Sequence, residues 1–115
     1  MTTKRKLTVT IPNGDTISGA LYLGDIETPC AVKLPSSFTG ATIGILASAE
    51  RGGTPAAVRT SALDSTTALA ITPSASQWVP LPFTEFAGYV DLYFTSPSAE
   101  GAARTFEVAT RQNDI

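Results

Sequence analysis

Asp25 and Glu27 stand two residues apart, so in an extended segment both point to one side, as a glycosidase carboxylate pair or two hard-cation ligands would. Neither an acidic cluster nor an EF-hand spacing surrounds them, and a solvated turn before a strand accounts for both. Asp15 or Asp64 would complete an oxygen-rich calcium site only by approaching in space, and no metal site is assigned. Lys33 lies near Ser36 and Ser37, and a lysine of depressed pKa can activate a hydroxyl. The chain has no Ser-x-x-Lys motif, however, so the expectation is a lysine on the wet face of a strand followed by a serine turn. Gly52-Gly53 lacks the Gly-Lys-Ser/Thr of a phosphate-binding loop and reads as a turn. With no histidine and one cysteine, the sequence contains no intramolecular disulfide, Cys/His zinc site or His-dependent triad. Cys30 is expected to be a small buried hydrophobe. No catalytic residue and no cofactor is expected.

Binding residues offer more. Lys4-Arg5-Lys6 gathers three of the eight basic residues at one end, a contact for an acidic surface or an arm reaching a neighbouring protein. A nucleic-acid partner is not expected, because the chain has a formal net charge of -2 and lacks the interleaved Arg and aromatic platform of single-strand binders. Trp78, Tyr89 and Tyr93 are residue types that interfaces enrich, and they would also serve as a carbohydrate platform if exposed together on one face.

The elements that position these residues are strands. A chain of 115 residues is one domain's worth, and 43% hydrophobic residues with 16% charged argue for a folded domain with a sparsely charged surface. The mean hydropathy is +0.12 and the pI about 4.9. No apolar run approaches a membrane span, and the opening Met1-Thr2-Thr3-Lys4-Arg5-Lys6 leads into alternation instead of an apolar signal core, so no membrane partner is expected. Ser, Thr and Ala are abundant while Leu, Glu and Lys are scarce, which disfavours long amphipathic helices.

Leu7, Val9 and Ile11 alternate with polar neighbours, the period of a half-buried strand. Pro12-Asn13-Gly14-Asp15 is a tight turn, and Ile17, Gly19, Leu21 and Leu23 share a face of a second strand, the two reading as a hairpin. Cys30, Val32 and Leu34 give a third strand, and Ala41, Ile43, Ile45 and Ala47 a fourth, ending in the projecting turn Glu50 to Pro55. Val58, Leu63, Leu69 and Ile71 suggest two short strands around Asp64-Ser65. The prolines at 80 and 82 confine the segment after Trp78 to an edge. Phe86, Gly88, Val90, Leu92 and Phe94 form the long face of a central strand with Leu92 and Phe94 in the core, and Phe106 and Val108 mark a final strand ending near Arg111. The expected fold is all-β: one compact β-sandwich or jelly-roll-like domain of about eight short antiparallel strands over residues 7–111, preceded by a basic arm (1–6) and followed by a tail (112–115).

Ile17-Ser18, Leu23-Gly24-Asp25 and Ala31-Val32-Lys33-Leu34-Pro35-Ser36-Ser37-Phe38-Thr39-Gly40-Ala41, then a strand and a Gly-Gly turn, resemble a group of small tailed-bacteriophage structural proteins. In the second half, Trp78-Val79-Pro80-Leu81, Phe86-Ala87-Gly88, Asp91-Leu92-Tyr93-Phe94-Thr95-Ser96 and Ala103-Arg104-Thr105-Phe106 resemble that group's closing pattern. The resemblance runs from about Ile17 to Arg111 and is one of strands and turns, with few chemical groups. It implies a non-enzymatic virion component made in the bacterial host cytoplasm. Its leading form is a capsid cement or decoration protein, a homotrimer on the outside of the shell with the major capsid protein as partner. A head-to-tail, collar or tail-associated component, or a carbohydrate-binding module on the virion surface, are the alternatives. This chain departs from the pattern in the charged Arg51-Gly52-Gly53 turn and the Lys4-Arg5-Lys6 arm. Lys4, Arg5, Lys6, Arg51, Trp78 and Tyr89 are accordingly the expected partner-binding residues.

Overall fold

The computed structural model describes residues 3–23, 27–58, 68–81 and 89–112. None of these residues is helical, and nine strands make two antiparallel sheets: β1 (Thr3–Ile11), β2 (Leu21–Tyr22), β3 (Glu27–Lys33), β4 (Ile43–Ser48), β5 (Ala56–Ala57), β6 (Ala70–Ile71), β7 (Trp78–Pro80), β8 (Asp91–Thr95) and β9 (Arg104–Gln112). One sheet runs β1-β9-β3-β7 and the other β2-β8-β4-β5, with β6 also on β4. The expected all-β sandwich is the observed architecture.

Alternation explains why the sheets face each other. Val9 and Ile11 of β1, Val32 of β3 and Phe106 and Val108 of β9 point inward from the first sheet, while Leu21, Ile43, Ile45, Ala47, Leu92 and Phe94 point inward from the second. All are buried, as period-2 patterning requires of a half-solvated antiparallel sheet. The sheets meet at Phe94 and Phe106, whose rings stack at 4.6 Å between centroids, and Phe38 closes on Phe106 edge-on at 6.1 Å. The expectation that Leu92 and Phe94 are core residues holds.

Several elements differ from the sequence reading. β1 and β2 are not a hairpin: β1 pairs with β9 along nine residues and β2 pairs with β8 in the opposite sheet. The tight turn is present, with the Asp15 amide donating to the Pro12 carbonyl (3.0 Å) and Gly14 at a φ of +86°, but it passes the chain between sheets. Ile17 is exposed and forms an isolated bridge to Thr95 of the second sheet. β1 begins at Thr3, so residues 3–6, expected in a free arm, are strand residues; Thr3 pairs with Gln112. Glu27 is not a solvated turn residue but the buried first residue of β3. β7 lies at a sheet edge, as Pro80 favours, and β8 and β9 are central. Asp25, Leu63, Asp64, Ser65 and Phe86 to Gly88 lie outside the described residues.

Candidate functional site

Two outer sheet faces are available for interaction, and they differ in chemistry. On the first sheet, register places Thr8, Glu107, Lys33 and Trp78 in one row across β1, β9, β3 and β7. Residues directly opposite in an antiparallel ladder share a face; Val32, Val79 and Val108 take the inner one, so this row faces outward. Trp78 is 49% exposed. Glu107 pairs with two cations: Lys6 Nζ donates to Oε1 at 3.4 Å, and Lys33 Nζ lies 3.9 Å from Oε2 as an ion pair. Both pairs are solvent exposed and contribute little to stability. Lys4 is at the register position of Arg111. A shallow groove of about 220 Å³ lies beside the row, lined by Lys33, Leu34, Pro35, Ser36, Thr105 and Glu107. Lys33 thus sits on the wet face as expected, with its ammonium toward a carboxylate.

Arg5 does not join this face. It lies on the same side of β1 as Leu7 and Val9, and its Nη1 is 3.0 Å from Oε1 of Glu27 at the end of the sandwich. The second sheet's outer face carries Tyr22, 47% exposed, with the Arg51 guanidinium 4.2 Å from the ring centroid, a cation–π contact. The turn bearing Arg51, expected to project, folds back onto this sheet, with the Gly52 amide donating to buried Asp91 Oδ2 (2.9 Å) and the Gly53 amide donating to Glu50 O (3.0 Å). Tyr89 is half-buried and packs against the core. Of the six expected partner-binding residues, the structure brings Lys6 and Trp78 onto one face, with Lys4 on its edge strand. Arg5 is at the sandwich end, and Arg51 and Tyr89 are elsewhere. Trp78 and Tyr93 stand on different sheets, so they do not form a common aromatic platform.

The sequence reading missed the best-built polar cluster. Glu100 is fully buried and accepts four hydrogen bonds: the Thr39 amide (2.8 Å) and Arg104 Nε (2.8 Å) donate to Oε1, and the Gly40 amide (3.0 Å) and Ser96 Oγ (2.8 Å) donate to Oε2. Arg104 also donates to Ser37 Oγ (2.8 Å) and Thr39 Oγ1 (3.2 Å). The backbone of Glu100 receives the Gly14 amide (2.8 Å) and gives its own amide to Asp15 (3.1 Å). One residue, through its carboxylate and its backbone, therefore ties three connections together. Burial pushes its pKa up, but the Thr39 amide, Arg104, Ser96 and the Gly40 amide more than offset this and hold it at about 2. A group so fully saturated by its own chain is a structural lock. The one sequence signal was the Glu100 and Arg104 pair at either end of a Gly-Ala-Ala stretch. Cys30 is only half-buried, its thiol donating to the Thr28 carbonyl at 3.6 Å. Among the described residues, no three Cys, Asp or Glu side chains gather as a metal site would require.

Neither a protein-family model nor a curated protein sequence matches the chain. Among solved structures, the SPBc2 prophage-derived protein YomS is similar over 97% of this chain and 96% of its own, at 16% identity and a TM-score of 0.64. A chain from the disulfide-linked pili of Bacillus endospore appendages aligns over 99% of this chain and 89% of its own, at 11% identity and TM-score 0.47. A chain of the cyanophage Pam1 capsid asymmetric unit aligns over 98% and 85%, at 11% identity and TM-score 0.40. At 16% identity the likeness to YomS is one of fold: the two chains share a β-sandwich over nearly their whole lengths.

Proposed function

We propose that the protein is a non-enzymatic structural protein of a bacteriophage virion, acting as a capsid cement or decoration protein. The observation that carries this reading is the overlap of its fold, across 97% of the chain, with a prophage-derived protein. The strand-and-turn resemblance to small phage structural proteins points the same way. A cement protein binds the outside of the major capsid shell as a homotrimer and stabilises it by many weak contacts acting together, which needs rigid faces and no catalytic group. The sandwich offers two such faces, and the buried, four-fold hydrogen-bonded carboxylate of Glu100 serves the fold.

Quantitative mass spectrometry on purified virions tests the reading by comparing copies of this chain with copies of the major capsid protein. A ratio near one to one, or another simple fraction of the shell lattice, is the expected result. Low copy number would move the protein to the neck, collar or tail, and absence from the virion would remove the structural role altogether.

A further inference from the structure

Basic residues concentrate on the strands of one sheet. The strands β1, β3, β7 and β9 hold six of the eight basic residues (Lys4, Arg5, Lys6, Lys33, Arg104, Arg111) and two of the ten acidic ones (Glu27, Glu107), a formal +4 in a chain of net -2. Everything outside this sheet therefore carries -6. Arg5 and Arg104 are consumed at the ends of the sandwich by buried Glu27 and Glu100, whereas Lys6 and Lys33 stand on the outer face with the single carboxylate of Glu107 between them.

We propose that this outer face is a docking surface for an acidic protein surface, with the Lys33 groove at its centre and Trp78 at its edge. Three observations converge on it. Lys6 and Lys33 outnumber the carboxylate they share, so an incoming carboxylate meets uncompensated positive charge. The groove beside Lys33 offers a concave seat with the ammonium and Glu107 on its walls. Trp78 stands directly across the ladder from Lys33, giving the patch a large, exposed amphipathic anchor of a type that interfaces enrich. Lysines whose only task was to guard a sheet edge would account for β1 but not for an exposed tryptophan at the far edge, about 14 Å away at ordinary strand spacing. Docking draws Lys33 and Lys6 from Glu107 to the partner's carboxylates, so the exchange is of one exposed ion pair for another and depends on salt. The inference rests on the virion reading only for the partner's identity, which that reading makes the shell protein.

Trp78 is the sole tryptophan, so its fluorescence reports occupancy without labelling. The intact protein is titrated with short poly-L-glutamate, with heparin and with duplex DNA, alongside the variants K6E/K33E and R51E, each checked for an unchanged far-ultraviolet spectrum. Poly-L-glutamate is expected to shift the emission saturably, and K6E/K33E to weaken the apparent affinity roughly tenfold or more, while R51E, on the other sheet, leaves it unchanged. Silence toward poly-L-glutamate overturns the proposal, as does an equal loss in R51E. Tighter binding of DNA or heparin than of poly-L-glutamate replaces the protein partner with a nucleic-acid or sulfated one. None of these outcomes alters the virion copy number, so the docking face and the cement role fail separately.

Discussion

Glu100 shows how much of a loop-rich β domain can hang on one side chain. Its carboxylate holds Thr39, Gly40, Ser96 and Arg104 at once, and Gly40 is fixed by the same arrangement, since a Cβ there would collide with Ser96 Oγ and Pro97 Cδ. Glu100→Gln replaces an acceptor with a donor facing the Gly40 amide and Ser96, and leaves the Arg104 guanidinium without its counter-charge. Unfolding in urea should show a loss of roughly 3 kcal/mol, in the range for breaking a buried pair. The pH dependence identifies the cause. The folded carboxyl, at about 2, lies below its ordinary 4.5, so its contribution is fully present above 4.5 and is lost as the pH falls toward 2. Thermal midpoints of the wild type should drop through that window, and those of Glu100→Gln should drop less. Parallel curves would mean that another carboxylate dominates acid unfolding.

At the scale of elements, β1 carries the largest revision of what its sequence suggests. Removing residues 1–6 would be harmless if they were an arm, but they include the partners of Gln112, Arg111, Thr110 and Ala109, and Arg5 is the countercharge of Glu27, which is only 7% exposed. Truncation should therefore destabilise the domain by roughly 3 kcal/mol or more, because a carboxylate is left buried and unpaired. Arg5→Ala should reproduce most of the fall, and an unchanged thermal midpoint in the truncated protein would restore the arm. The strands themselves were legible: Val9 and Ile11, Ile43 to Ala47, and Phe106 and Val108 alternate because each lies in a sheet with one wet face. What pairs with what was not. Asn13-Gly14 announces a turn of positive φ, yet the same turn joins two strands of one sheet or of two, and the choice falls to Leu21 finding Leu92 and Val9 finding Phe106, contacts some 70 to 97 residues apart. Glu27 was misread for the same reason, since its partner is 22 residues upstream on a different strand. Trp78 and Lys33 were each noticed, but only β3–β7 pairing makes them neighbours.

For the whole molecule, a formal +4 on the strands of one sheet in a chain of net -2 means that net charge misdescribes what a small ion meets beside that sheet. Trp78 tests this directly, being unique, half exposed and on the cationic sheet. An ion approaching Trp78 within a Debye length, about 10 Å at 0.1 M salt, feels Lys33, directly across the ladder, most strongly. If the overall charge of -2 governed encounter, caesium would quench Trp78 more effectively than iodide. The local field demands the reverse. At low ionic strength the iodide quenching constant, normalised to free tryptophanamide, should exceed that of caesium by roughly twofold, and the difference should vanish near 0.5 M salt as screening contracts to a few ångströms. Lys33→Glu should invert the order, whereas Arg51→Glu, on the opposite sheet beside Tyr22, should not. Equal quenching by both ions in the wild type at low salt would show that Glu107 neutralises the face, and with it the reason for an acidic partner to choose this sheet.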